Sequence, residues 1–257
     1  MLCGMPELID THCHLDATEF DGTRDAIVER ARSAGVGRIV VPAVSADNFD
    51  AVLALRNRYG CQVALGLHPI YLEQHSDAHL TRLDSLLAAE RPTAVGEIGL
   101  DFWQPGLDPV RQEALFVAQL KLARRHDLPV LLHVRRAQDR VLKYLRQYPV
   151  PGGIAHAFNG SVQQAEAFIA LGFCLGFGGA MSFSGSTRIR QLAATLPLTA
   201  LVLETDAPDM RPEWALGVPN EPANVARYAA LLAGLRGVPP EAIAEATSHN
   251  AKRVLRL

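Results

Sequence analysis

The feature that most constrains this chain is an unbroken alternation of short apolar segments with segments of helical periodicity. The apolar segments, rich in β-branched residues, lie at 7–14, 38–44, 61–67, 94–100, 129–134, 152–157, 173–180 and 200–206. Near-continuous apolar runs of this length are typical of parallel strands that helices cover on their outer face. Eight such strands alternating with helices predict an α/β fold, the (β/α)8 TIM barrel.

The segments between the predicted strands carry apolar residues at helical spacing, as at Phe116, Leu120 and Ala123. Asp47 and Ser161 precede two of these segments and are predicted N-caps. Two more helical segments, at 221–235 and 239–256, predict extra helix at the C-terminus. The sequence contains no linker or low-complexity segment, so we expect a single domain over residues 1–257.

An open doubly wound sheet is the competing fold, but no glycine-rich dinucleotide turn follows the first strand. The net charge of −2 argues against tight, non-specific binding to duplex nucleic acid or to anionic membranes. It does not exclude an enzyme that binds a few phosphates locally. Four cysteines without a CxxC pair, no signal peptide and no apolar run long enough for a bilayer predict a cytoplasmic protein with free thiols.

Imidazole and carboxylate side chains lie at the C-terminal ends of the predicted strands, where barrel enzymes carry their active sites. These residues are His12, His14, His68, Glu97, His133, His156, Glu204 and Asp206. Such side chains are costly to bury in apolar strands unless they are paired or bind a metal. Imidazole and carboxylate ligands without thiolate suit Zn, Mn, Fe or Mg. A single ion would not use them all, whereas two ions bridged by a carboxylate would.

Strand alternation places His12 and His14 on one face of the first strand and turns Cys13 to the other. Two imidazoles on one face are either crowded surface residues or half of a metal site. The imidazole and carboxylate side chains at the ends of the other strands favour the metal site. Cys13 is then expected to be a small buried residue under a helix.

A set of motifs runs through the whole chain in a fixed order: IDTHCHLD, ALGLHP, AVGEIGLDF, LLHVR, GGIAHAFNG, LGFGGAMSF, LVLETDAP and NEPANV. With these motifs the chain resembles the TatD-type metal-dependent deoxyribonucleases, which belong to the amidohydrolase-like barrels. The resemblance implies two divalent metal ions per chain, Mg, Mn or Zn. It also implies that DNA, as short or single-stranded ends, is the substrate.

The resemblance also implies roles for individual residues. One ion would be held by His12, His14, Glu97 and Asp206, and the other by Glu97, His133 and His156, so that Glu97 bridges them. Asp206 would orient and deprotonate the attacking water. His68 would face the substrate phosphate or the leaving group. Glu204, two residues before Asp206 on one strand face, would support the site or face the substrate.

The chain departs from the family pattern around the sixth strand. Many relatives have HCFSG there, whereas this chain has Ala157 and Asn159 in HAFNG. Tuning of the second ion by a thiol is therefore not expected. The segment after Asp206 is longer than a minimal family loop, which can alter substrate choice.

Four residues near the predicted site are expected to contact substrate. Arg135 and Arg211 are candidates for phosphate contacts, and Phe102 and Trp103 for stacking on an exposed base. With no basic stripe, we expect binding of a strand end or a short single strand by a monomer with no obligate protein partner.

Two other functions remain open at this stage. The same metal site could hydrolyse an amide, ester or lactone, including the ester of an aminoacyl-tRNA. Many amidohydrolases use a modified lysine on strand four, and Glu97 at that position favours the nuclease-like branch. The third possibility is a barrel that keeps its metals as a non-catalytic scaffold.

Overall fold

The computed structural model describes residues 6–257 and confirms the predicted (β/α)8 barrel. Eight parallel strands pair in sequence order, each with the next along the chain. The strands are β1 (Leu8–Asp10), β2 (Val36–Pro42), β3 (Gln62–Leu65), β4 (Ala94–Asp101), β5 (Val130–Arg135), β6 (Gly153–Ala155), β7 (Phe173–Phe177) and β8 (Leu201–Leu203).

Helices connect the strands and cover the sheet. They are α1 (Arg24–Ser33), α2 (Phe49–Tyr59), α3 (Asp77–Glu90), α4 (Pro109–Arg125), α5 (Gln138–Gln147), α6 (Val162–Ala170), α7 (Thr187–Thr195), α8 (Val225–Arg236) and α9 (Pro240–Leu255). The predicted C-terminal helices correspond to α8 and α9. Within residues 6–257, no helix combines the length and apolarity needed to cross a bilayer.

One of the two predicted helix caps is correct. The Ser161 hydroxyl accepts the backbone N–H of Gln164 at 3.1 Å and caps α6. The prediction for Asp47 is wrong, because this residue lies inside a 3-10 turn at Ala46–Asn48 that precedes α2. There the Asn48 side chain accepts the backbone N–H of Ser45 at 3.1 Å, and the turn begins two residues earlier than expected.

The hydrophobic core has two parts, which together decide where a site can form. The larger part lies between the outer face of the sheet and the helices. The smaller part fills the barrel interior with one side chain from each strand: Ile9, Val40, Ala64, Ala94, Leu131, Ile154, Cys174 and Val202. Residues of α9 pack against this inner layer, so the helix closes the N-terminal end of the barrel. Only the C-terminal end is left for chemistry.

Six strands end earlier than the sequence predicts, and three of these early ends leave predicted site residues in the connections that follow. β1 ends at Asp10, β6 at Ala155 and β8 at Leu203. Beyond the ends of β1 and β8, the two segments are joined by backbone hydrogen bonds outside the strand pairing. Asp206 donates its backbone N–H to the carbonyl of His12 at 2.8 Å. The expectation that Glu204 and Asp206 share a strand face is therefore wrong.

The described cysteines are buried free thiols, as expected, while Cys3 lies outside the described residues. Cys13 is fully buried in the larger core and forms an isolated parallel bridge with Ala207. Burial raises the pKa of the Cys13 thiol well above its ordinary value. Cys13 is thus a packing residue, on the opposite side of the chain from the two neighbouring histidines.

Candidate metal centre

A single buried carboxylate, that of Glu97 on β4, lies at the centre of the predicted site. Its side chain is 2% exposed. Oε2 lies 3.1 Å from His12 Nε2 and 3.5 Å from His14 Nε2. Oε1 lies 2.8 Å from His156 Nε2 and 3.1 Å from His133 Nδ1. Oε1 is also 3.3 Å from His68 Nε2, so the two oxygens of one carboxylate face different sets of imidazoles.

Close approach of β3 to β4 holds Glu97 in this position. A Cβ atom at Gly66 would lie 2.7 Å from the carbonyl carbon of Gly96 and 2.9 Å from the backbone nitrogen of Glu97. Only glycine permits this backbone contact. On the other side of the peptide, the Glu97 N–H donates to the carbonyl of Ala43 at 2.9 Å.

Asp206 completes the half of the site formed by the first two histidines. Its Oδ1 lies 3.6 Å from His12 Nε2 and 3.5 Å from His14 Nε2. Its backbone has a φ of +54°, in the left-handed region that aspartate tolerates better than most residues. The Asn220 side chain supports this turn by donating to the carbonyl of Thr205 at 2.9 Å.

Asp10, which sequence analysis did not single out, joins the two segments that carry these ligands. It is fully buried, and its Oδ1 accepts the backbone N–H of His12 at 3.2 Å and of Thr205 at 2.9 Å. Its Oδ2 accepts the Thr205 hydroxyl at 2.6 Å. Thr205 directly precedes Asp206, so one carboxylate fixes the His12 segment against the Asp206 segment. Burial raises the pKa of Asp10 to about 8, and these hydrogen bonds oppose that rise.

Asp101 is the second important residue that sequence analysis did not single out. Its Oδ2 lies 2.9 Å from His133 Nε2, so in the neutral ring that nitrogen carries the proton and Nδ1, 3.1 Å from Glu97, is the nitrogen free to bind a metal. Carboxylates commonly fix metal-binding histidines in this way. A signal was present, because Glu97 and Asp101 lie four residues apart and therefore on the same face of β4.

His68 presents a proton to the site. Its Nδ1 accepts the backbone N–H of Ile70 at 3.1 Å. Burial, against the opposing charge of Glu97, lowers the pKa of His68 to about 4, so the ring is neutral. Its one proton then lies on Nε2, which is 3.3 Å from Glu97 Oε1. In this tautomer His68 is a hydrogen-bond donor and not a metal ligand.

Glu204 lies behind His156, away from the centre of the cluster. Its Oε1 accepts the backbone N–H of Ala157 and is 3.8 Å from His156 Nδ1. Its carboxylate occupies the space that a side chain at Gly176 would fill. Burial raises the pKa of Glu204 to about 7. This arrangement fits support of His156 better than direct contact with substrate.

The electrostatics of the cluster fit divalent cations. Burial raises the pKa of Glu97, but the surrounding imidazoles, His156 foremost, outweigh burial and hold it well below its ordinary value. Burial likewise raises the pKa of Asp206, and the hydrogen bond from His14 helps to lower it overall. His12 Nδ1 and His156 Nδ1 have no hydrogen-bond partner among residues 6–257. Ionised carboxylates surrounded by converging imidazole nitrogens form a donor set typical of Zn, Mn or Fe.

The four predicted substrate contacts have different environments. Phe102 packs against the larger core, whereas the Trp103 side chain is 46% exposed. The Arg135 guanidinium lies 5.3 Å from the centroid of the Trp103 ring. Arg211 is exposed, and its side chain donates to the carbonyl of Leu216 at 3.5 Å. The structure therefore brings Arg135 and Trp103 together and leaves Arg211 in the long loop after β8.

Comparisons with known proteins show the family to which the chain belongs. The family described as TatD related DNase matches residues 9–256. An uncharacterized metal-dependent hydrolase of Escherichia coli K12, YjjV, is 47% identical over 257 residues, covering 97% of each chain. A 3'-5' ssDNA/RNA exonuclease TatD of Erwinia billingiae is 34% identical over 260 residues, covering 97% of this chain and 99% of its own.

Solved structures agree as well. The crystal structure of Escherichia coli YjjV, a TatD homologue, superposes with a TM-score of 0.94 at 44% identity, covering 97% of this chain and 98% of that one. A TatD family hydrolase from Entamoeba histolytica superposes at 0.85 with 17% identity, covering 97% and 98% of the two chains, which shows the shared fold. The chain therefore belongs to the TatD family of metal-dependent hydrolases, enzymes that act on ester bonds.

Proposed function

We propose that this chain is a deoxyribonuclease that removes nucleotides from single-stranded DNA ends with two divalent ions. The observation that carries the proposal is the division of the Glu97 carboxylate, with Oε2 facing His12 and His14 and Oε1 facing His133 and His156. A carboxylate shared between two ligand sets is the arrangement that two-ion phosphodiester hydrolysis needs. The Erwinia relative named as a 3'-5' ssDNA/RNA exonuclease supports this substrate class.

In this proposal each side of Glu97 contributes to one ion. One ion would be held by Glu97 Oε2 together with His12, His14 and Asp206. The Nε2 atoms of the two histidines lie 3.3 Å apart, and each is within 3.6 Å of Glu97 Oε2 and of Asp206 Oδ1. His133 and His156 act with Glu97 Oε1. Asp101 keeps His133 in the tautomer that leaves Nδ1 free, and Glu204 supports His156 from behind.

The bound ions would supply Lewis-acid stabilisation of the phosphate and lower the pKa of a water molecule towards neutrality. Asp206 is ionised and lies beside both N-terminal histidines, so its carboxylate can orient that water and accept its proton. His68 Nε2–H, on the other side of Glu97, can donate to a phosphate oxygen or to the leaving group. The chain thus places a proton acceptor and a proton donor on opposite sides of the bridging carboxylate.

The test is hydrolysis by metal-reconstituted protein of single-stranded DNA, duplex DNA, RNA, aminoacyl-tRNA, simple esters and bis-p-nitrophenyl phosphate. We expect metal-dependent cleavage of single-stranded DNA from the 3' end, and loss of that activity in Asp206→Asn. Asp209→Asn, in the same loop and outside the cluster, is the matched control and is expected to stay active. Activity on esters or aminoacyl-tRNA without activity on phosphodiesters would contradict the proposal and favour an ester hydrolase.

A further inference from the structure

An exposed tryptophan and two arginines form a cluster at the C-terminal ends of β4 and β5. We call Trp103, Arg135 and Arg136 the tryptophan platform. The guanidinium carbon of Arg136 lies 3.7 Å from the centroid of the Trp103 ring, and that of Arg135 lies 5.3 Å away. The Trp103 side chain is nevertheless 46% exposed. A ring left this open is accessible to a ligand, and a ligand that covered it would bury a large aromatic surface.

In the described part of the chain, the two arginines of the platform have no anionic partner. Within residues 6–257, neither guanidinium forms an ion pair or a side-chain hydrogen bond, and both contact the Trp103 ring. By contrast, the nearby Arg140 pairs with Glu113 at 3.0 Å. Each guanidinium therefore offers its N–H donors, in a geometry that suits phosphate oxygens.

The platform is fixed to the metal centre through Asp101. The backbone N–H groups of Trp103 and Gln104 both donate to Asp101 Oδ1 at 2.9 Å. The other oxygen of the same carboxylate lies 2.9 Å from His133 Nε2. Asp101 also pairs in register with Arg135 across β4 and β5. The backbone that carries Trp103 is thus bound to the same carboxylate that contacts His133 of the metal centre.

We propose that the platform is a nucleotide subsite, where a base of a single-stranded nucleic acid stacks on Trp103 and Arg135 and Arg136 contact its phosphates. This inference rests on the proposed nuclease function and names how that site recognises its substrate. Aromatic rings bind bases of any sequence, and the charges bind the backbone. A duplex does not fit, because its bases are already stacked on one another. Base and phosphate are common to DNA and RNA, so the platform accepts both.

Fluorescence tests the stacking directly, because the chain has two tryptophans, Trp103 and Trp214. In Trp214→Phe, Trp103 is the single emitter. Metal-free protein, which cannot cleave, is titrated with oligothymidylate, oligouridylate, an abasic oligonucleotide of equal length and a duplex. We expect both base-bearing single strands to quench Trp103, and the abasic strand and the duplex to leave it unchanged. Equal quenching by the abasic strand, or no quenching by any, would overturn the proposal.

Kinetics provide the second test, with Arg140→Ala as the matched control. Trp103→Ala is expected to lower kcat/KM for oligothymidylate by roughly 5- to 100-fold relative to kcat/KM for bis-p-nitrophenyl phosphate, as loss of base stacking predicts. Arg140→Ala, whose charge is already paired, should change neither value. Equal losses on both substrates in Trp103→Ala would mean that the residue supports the fold and would refute the subsite.

Salt dependence tests the arginines, and the outcomes separate this inference from the proposed function. Replacing Arg135 or Arg136 with Gln should reduce the slope of log K against log salt by about 0.7 for each phosphate that the variant no longer binds. An unchanged slope would refute phosphate binding at the platform. Metal-dependent cleavage of DNA without quenching would leave the proposed function standing and refute the subsite. Absence of cleavage from any nucleic acid would refute the proposed function itself.

Discussion

Asp101→Asn is the sharpest perturbation of this site, because it changes one proton and almost no volume. In the wild-type chain the Asp101 carboxylate accepts from His133 Nε2 at 2.9 Å, so that Nδ1 is the unprotonated nitrogen when the ring is neutral. The N–H groups of Trp103 and Gln104 hold the other oxygen at 2.9 Å, so an asparagine must keep its oxygen there. Its NH₂ group then points at His133 and donates to Nε2. The proton moves to Nδ1, where it blocks the ligand position.

Loss of a carboxylate that supports a metal-binding histidine typically costs 10- to 100-fold in metal affinity, or about 1.4–2.7 kcal/mol. We expect a loss of this size for the ion held by His133, measured by titration of Mn²⁺ into metal-free protein. Because the two backbone hydrogen bonds survive, the free energy of unfolding of metal-free protein should fall by about 1 kcal/mol or less. Asp108→Asn, in the same connection at the start of α4, should leave the metal affinity unchanged. Wild-type affinity in Asp101→Asn would refute the tautomer argument.

The hydrogen bonds and close approaches around the site support three further predictions. Asp10→Ala should lower metal affinity more than Thr11→Val, compared under conditions where the two variants have the same free energy of unfolding. Both residues bond to the segment around β8, but only Asp10 binds the backbone of the turns that carry metal ligands. Equal metal affinities in the two variants would contradict this. Gly176→Ala should displace the Glu204 carboxylate and reduce activity while circular dichroism stays that of a folded barrel; full activity would show that Glu204 does not position His156. Removal of metal by a chelator should lower Tm, because an ion at a hundred times its Kd stabilises the fold by about 2.7 kcal/mol; a Tm unaffected by metal would argue against any bound ion.

The barrel itself was predictable from local patterns. Buried parallel strands are apolar along their whole length, and helices repeat their apolar face every three or four residues, so both leave a periodic signal. The strand ends were less predictable. They depend on hydrogen bonds between distant segments, such as that from the Asp206 N–H to the His12 carbonyl, and these leave no local pattern.

The candidate site was predictable where an unusual residue type marked it. Glu97 and the strand-end histidines stood out because charged or imidazole groups are costly in apolar strands. Asp10 and Asp101 carried a similar signal, as carboxylates in or next to predicted strands, but their roles depend on partners 195 and 32 residues away along the chain that only the fold brings close. Sequence alone also could not separate Phe102, which packs in the core, from its exposed neighbour Trp103.

Anomalous scattering from crystals grown with Mn²⁺ would show whether Glu97 bridges two ions. We predict two anomalous peaks, one on each side of the Glu97 carboxylate. One peak should lie among His12, His14 and Asp206, and the other beside His133 and His156. A single peak, or two peaks of which one has no contact with Glu97, would mean that this carboxylate does not bridge two ions.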